Sequence, residues 1–225
     1  MITIERKRVL KFFVILAVLL IIMHSAIAVV YYIVGDPEKF DFIRMFDLDR
    51  EQNIPTLFSS LLFIFNALLF WLIGKNSADS ERKYWYGLAG VFAFLSFDES
   101  ATIHENLGDL TEQFVDASGI LYYPWVISYS LLVLVLVVLY FRFFYSMPKK
   151  LFYRFVLAAA IFLSGAVGFE LLGAQEADLY GTDSPLYTIY YTIEESLEMF
   201  GLIYLMGILL DMLDGKQVLF SSSRR

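Results

Sequence analysis

Six stretches of this chain are each long and apolar enough to cross a bilayer, and that length criterion settles the fold class before any motif is read. A hydrocarbon core about 30 Å thick needs roughly 20 helical residues to span it. The pattern predicts helices over 12–34, 55–73, 84–106, 125–145, 151–173 and 187–213. The expectation is an all-α, polytopic membrane helix bundle of about six transmembrane helices, forming one transmembrane domain over 1–225. The hydrophobic share of 59% agrees, since soluble domains sit near roughly 45–50%. The spans leave no room for a large soluble domain. Arg6, Lys7, Arg8 and Lys11 before the first run, with Ala26-Ile27-Ala28 inside it, resemble a signal peptide. The apolar run continues to Val34, past a usual signal core, which favours a retained helix.

Loop charges give the spans a direction. Basic residues cluster at the N-terminus, at Lys75, Arg82 and Lys83, at Arg142, Lys149, Lys150 and Arg154, and at Lys216, Arg224 and Arg225. The intervening loops are acidic. Loop 35–54 holds Asp36, Glu38, Asp41, Asp47, Asp49 and Glu51 against Lys39, Arg44 and Arg50. Loop 107–124 holds Asp109, Glu112 and Asp116, and loop 174–186 holds Glu176, Asp178 and Asp183, neither with a Lys or Arg. Basic loops mark the cytoplasmic side, so both termini are expected to be cytoplasmic, in the cell (inner) membrane. Trp71, Tyr84, Trp85 and Tyr86 are expected in an inner aromatic belt. Tyr122, Tyr123, Trp125, Tyr187, Tyr190 and Tyr191 are expected in an outer one. The net charge of -7 argues against nucleic acid as a partner; the bilayer is the partner the spans imply.

Three spans carry acids where a lipid-facing helix cannot. The third contains Asp98, Glu99, His104 and Glu105, the fifth Glu170, and the sixth Glu194, Glu195 and Glu198. Ionisable groups at membrane depth face a protein interior or water and are functional candidates. On a continuous helix, Asp98, Ala101, His104, Glu105 and Gly108 share a broad face, and Glu194 and Glu198 lie one turn apart. At about 1.5 Å per residue, Asp98, Glu198 and His24 fall in one layer of the outer half, with the remaining acids nearer the outer interface. So many carboxylates cannot all ionise side by side without a cation among them. A bound metal, shared protons or a transported cation would supply it.

The metal candidates are His104, Glu105, Glu170, Glu194, Glu198 and His24. Asp98 and Glu105 are the candidate catalytic groups, Asp98 as a ligand or general base. Oxygen-rich donors with one or two imidazoles suit a divalent ion such as iron, manganese or magnesium; zinc is a further possibility, though not as a structural site. The Glu-x-x-His of di-iron bundles does not occur. With no cysteine there is no thiolate nucleophile or Cys-based metal site. Walker, dinucleotide, Gly-x-Ser-x-Gly and His-Glu-x-x-His motifs are likewise absent from the sequence. Glu194-Glu195 has no Arg shortly after it, where Met199 and Phe200 follow, and no later His, so it does not complete an intramembrane protease motif. Asp47, Asp49 and Glu51 read as a solvated loop, Glu99 and Asp109 as facing water, and Ser59, Ser60 and Asn66 as helix contacts.

The leading expectation is a metal-binding membrane enzyme acting on a lipid or other membrane-soluble substrate. Its rivals are a cation- or proton-coupled transporter component, in which a homodimer is possible, and a non-catalytic scaffold or accessory subunit.

Overall fold

The computed structural model describes residues 5–34 and 44–214. Asp36, Glu38, Lys39 and Asp41 of the first acidic loop, and Lys216, Arg224 and Arg225 of the tail, lie outside the described residues. The described chain is all-helical. Helix α1 is Arg6–Val34, α2 Ile54–Lys75, α3 Asp79–Ala101, α4 the short Ile103–Glu112, α5 Trp125–Tyr145, α6 Lys149–Leu163, α7 Glu170–Tyr180 and α8 Pro185–Leu213. A π-turn, Ser164–Phe169, joins α6 to α7 without a break. Five helical segments are long and apolar enough to cross a membrane, the joined α6–α7 among them. The sixth, α3, has the length but is charged at both ends, from Asp79 to Lys83 and at Asp98 and Glu99.

The boundaries differ from expectation in two places that matter. The third helix does not run through to 106. It ends at Ala101, and Thr102 adopts a left-handed conformation (φ 51°, ψ 39°) that redirects the chain into α4. The fifth runs on to Tyr180 because the π-turn absorbs a register change at the small residues Ser164, Gly165, Ala166 and Gly168.

Helices α2 and α8 are the most buried spans; α1, α5 and α6–α7 lie around them and show mostly apolar, exposed faces. Lipid is as apolar as leucine, so burial of apolar area cannot drive this assembly; close packing and interhelical hydrogen bonds must. One packed cluster joins Phe13 and Ala17 of α1 to Leu62 and Phe63 of α2 and Met199, Leu202 and Met206 of α8. A second joins Phe70, Trp85, Phe143, Phe155, Ala158, Leu205 and Ile208 across five helices. Trp85, expected in the inner belt, is 2% exposed and stacks on Phe70 at 6.1 Å between ring centroids.

Polar side chains tie the helices as Ser60 and Asn66 were expected to do. Ser60 Oγ donates to the Ser96 carbonyl at 2.7 Å and Ser96 Oγ to the Ser60 carbonyl at 2.8 Å. Asn66, fully buried, donates to the Leu202 carbonyl at 3.2 Å. At one end of the bundle Asp211 pairs with Arg6 of α1 at 2.9 Å and Arg154 of α6 at 2.6 Å. The other end holds a large cavity.

Candidate functional site

The cavity, about 900 Å³, is walled by α2, α3, α4, α5, the end of α6, the π-turn, α7, α8 and the loop before α2. Eleven of its lining residues are Asp or Glu, against Arg50 and His104 as the basic ones. His104, Glu105, Glu170, Glu194 and Glu198 all line it, as do Asp98, Glu99 and Glu195. The expected acids therefore meet in one space.

Local structure explains how they meet. Asp98 Oδ1 accepts a hydrogen bond from the His104 backbone N–H at 2.8 Å, satisfying one of the free donors at the start of α4. The left-handed Thr102 turns α4 so that His104 lies over Asp98, with Nδ1 at 3.5 Å from the same oxygen. Asp98 and His104 thus do not share a helix face; a reversal of the chain brings them together. Asp98 is 4% exposed, and its geometry is that of a group that orients the imidazole. The other ring nitrogen, Nε2, lies 3.2 Å from Glu51 Oε1. The Glu51, His104 and Glu105 donor atoms all fall within 4.8 Å of one another. Donors around one ion at about 2.1 Å sit roughly 3–4 Å apart, so this group could hold a metal ion with small side-chain adjustments.

Two further observations converge on the same three residues. Glu51 Oε2 is buried and has no hydrogen-bond partner; an orphaned carboxylate oxygen is costly unless a cation or proton attends it. The non-glycine residues with positive φ among those described are Gln52 (φ 59°) and Thr102 (φ 51°), one beside Glu51 and the other two residues before His104. Left-handed backbone costs an L-residue about 1–2 kcal/mol, most of all a β-branched one, and such strain gathers at functional sites. Thr102→Gly is therefore expected to raise the thermal midpoint modestly, by about 0.5–1 kcal/mol after glycine's own entropy cost. The same change loosens the turn that brings His104 over Asp98.

Electrostatics outside the spanning helices follow the geometry. Burial works against a charge on His104. Its hydrogen bonds and Coulombic attraction to Asp98 and Glu51 outweigh burial and push the imidazole up to about 10. Asp49 is wetted by the cavity, yet enclosure by the protein raises its carboxyl to about 7, with the Tyr187 hydrogen bond pulling the other way. Tyr187 Oη donates to Asp49 Oδ1 at 2.7 Å and lies 3.1 Å from Tyr123 Oη.

Deeper acids are placed by helix contacts. Glu170 begins α7 immediately after the π-turn, and irregularities of this type recur at functional sites. Glu170 lines the cavity together with Glu194 and Trp125. Gly165 packs so closely on α8 that a Cβ there would sit 2.6 Å from the Glu194 carbonyl and 3.1 Å from Glu198 Cγ.

His24 is not part of this cavity. It is 1% exposed, and its Nδ1 accepts the Leu48 backbone N–H at 3.1 Å, so that nitrogen cannot also donate to Asp47 at 3.5 Å. His24 braces the loop before α2 and lines a smaller neighbouring cavity with Tyr31, Tyr32 and Tyr191. Asp49 and Glu51, read from sequence as solvated loop, line the main cavity instead. The loop is pinned by Leu48, 5% exposed. Asn53 caps α2 through Thr56 N at 3.1 Å and donates to the Asp47 carbonyl at 2.6 Å. One apolar residue between acids, ahead of a capped Asn-Ile-Pro helix start, was the available signal.

Residues 12–212 match the family model described as "Domain of unknown function (DUF8692)". Neither a curated protein nor a solved structure matches the chain.

Proposed function

We propose that this chain, which belongs to the DUF8692 family, is a metal-dependent membrane enzyme. It would bind one divalent ion through Glu51, His104 and Glu105 and act on a lipid or other membrane-soluble substrate. The observation that carries this reading is the one such group among the described residues, an imidazole and two carboxylates, one of them with an orphaned oxygen, opening on a cavity large enough for a small molecule.

The donor set favours manganese, iron or magnesium, because two carboxylates with one imidazole form a hard, oxygen-rich site. Asp98 behind His104 supplies the carboxylate–histidine arrangement that fixes ring orientation in metal sites. Three protein ligands leave coordination positions free toward the cavity, and a bound ion would supply Lewis-acid activation there. Glu99, Glu170, Glu194, Glu195 and Glu198 would hold and pass protons around the reacting group. The Asp49–Tyr187–Tyr123 chain would fix the cavity wall beside it.

The cavity floor bears on the transport alternative. Below the acids the bundle is filled by Phe70, Ile73, Leu205, Ile208 and Leu209, each 8% exposed or less. A dry floor under a site open at one end suits chemistry on a bound molecule better than passage of a cation. With the basic loops inside, the cavity would open to the extracytoplasmic face.

Elemental analysis of protein purified without chelators tests the reading. About one manganese or iron per chain is expected, falling to background in Glu51→Ala, Glu105→Ala. A wild-type chain that is folded and metal-free, and stays so after dialysis against each ion, would sink it.

A further inference from the structure

We propose that the cavity takes an amphiphile with a cationic ammonium head group, admitted sideways from the bilayer between α5 and α6. This rests on the reading of the cavity as a substrate site.

The head-group chemistry follows from charge and rings. The lining holds eleven acidic residues; with the deep carboxyls sharing protons, a divalent ion at the metal centre offsetting two charges and His104 a neutral ligand there, the remaining acids still outnumber Arg50. The space stays an anion-repelling one, with its charges focused between low-dielectric walls. Aromatic rings stand among the acids. Trp125 lies edge-on to His104 at 5.0 Å and Tyr129 at 5.5 Å from Trp125. Tyr187 and Tyr191 of α8, packed on each other at 5.2 Å, line the same space. Carboxylates interleaved with tyrosine and tryptophan form the surroundings that hold ammonium groups by charge and cation–π attraction together.

The route follows from how α5 is fastened. Its buried residues are Val126 and Phe143, near its two ends, about 25 Å apart along the axis. Between them Leu131, Leu134, Val135 and Val138 are exposed. At the same level Val133 of α5, Leu163 of α6 and Ala166 of the π-turn line the cavity. Val133 is eight residues into α5, about 12 Å from its start, so the cavity reaches apolar wall at hydrocarbon depth. An alkyl chain lying in that seam leaves its head among the acids.

Two photoactivatable probes test this in dodecyl maltoside micelles: a hexadecyl trimethylammonium and a hexadecyl sulfate, each with a diazirine in the chain. The ammonium probe is expected to label peptides containing Val133 and Leu163 about tenfold more than the sulfate. Val133→Trp should abolish that labelling; Val133→Phe, a milder block, should reduce it, which guards against a folding defect in the first. Asp109→Asn, Glu112→Gln, which removes two lining acids outside the spanning helices, should bring the two probes closer to parity. Equal labelling of the wild type, or labelling confined to the outer faces of α5 and indifferent to Val133→Trp, would overturn the proposal. Metal content measured on the same samples separates the two readings. Preference without metal would remove the metal centre and keep this site, whereas metal without preference would remove this proposal alone.

Discussion

His104→Ala is expected to yield a folded, monodisperse helical protein that does not retain the divalent ion proposed for the Glu51, His104 and Glu105 group. His104 is the sole nitrogen donor of the group and the point on which its geometry converges. Asp98 sits behind the ring, Glu51 faces Nε2, and Trp125 packs on its edge. The side chain is 17% exposed and stands on the short α4, and its removal leaves the packed clusters that join the spanning helices intact. Asp98→Asn should behave differently. It keeps an oxygen able to accept the His104 backbone N–H but weakens the hold on the ring, so affinity should drop about 10–100-fold, the usual cost of losing an outer partner. His104→Ala must exceed that range, and His104→Gln should not restore binding. The ranking is read by elemental analysis after gel filtration and by competition with a chelator of known affinity. Unchanged metal content in His104→Ala would show that any bound ion sits elsewhere, among Glu170, Glu194 and Glu198.

How far the sequence foretold this site depends on what kind of contact built each part. Acids within a span were legible because membrane depth makes them costly, and Glu170, Glu194 and Glu198 do line one cavity. His104 and Glu105 were legible for the same reason. Their relation to Asp98 was not, because it depends on a left-handed Thr102, and threonine is a residue type that gives no hint of that conformation. Glu51 was missed since an acid in a charged loop reads as solvated. What draws it inward is tertiary: Leu48 buried in the bundle and the loop bonded to His24. His24 was legible as special, and the structure places it outside the main cavity, against the loop before α2. A lone histidine on an apolar helix served the fold, by accepting a backbone hydrogen bond, while holding in place the loop that supplies Glu51. The helices themselves were legible almost throughout, since span length and hydropathy are properties of sequence alone. The π-turn was not, although its small residues marked a close approach.

That close approach sets up the second large expected effect, which falls on stability. Gly165→Ala should lower the thermal midpoint by several degrees and open the cavity's deep wall. A methyl group there would meet the Glu194 backbone carbonyl at 2.6 Å and Leu197 Cβ at 3.1 Å, so the helices themselves must move apart. Overpacking of this kind costs typically about 1–3 kcal/mol. In a bilayer the contact is harder to replace, because small-residue packing does much of the work that hydrophobic burial does in water. Gly201→Ala should behave alike, its methyl meeting the Phe162 backbone nitrogen at 2.9 Å across the same pair of helices. Gly168→Ala is the internal control. It lies in the same π-turn with open space around the position of its Cβ, so alanine should be neutral or stabilise by up to about 1 kcal/mol. If Gly165→Ala and Gly168→Ala prove equally mild, the α6–α8 approach does not hold the bundle together. If Gly165→Ala is the costly one and also weakens metal retention, the crossing of the π-turn on α8 at Glu194 and Glu198 is coupled to the Glu51, His104 and Glu105 group through the shared cavity. Melting curves with and without added manganese distinguish the cases, because an ion that binds only the folded chain raises the midpoint by mass action, and Gly168→Ala should keep that rise in full.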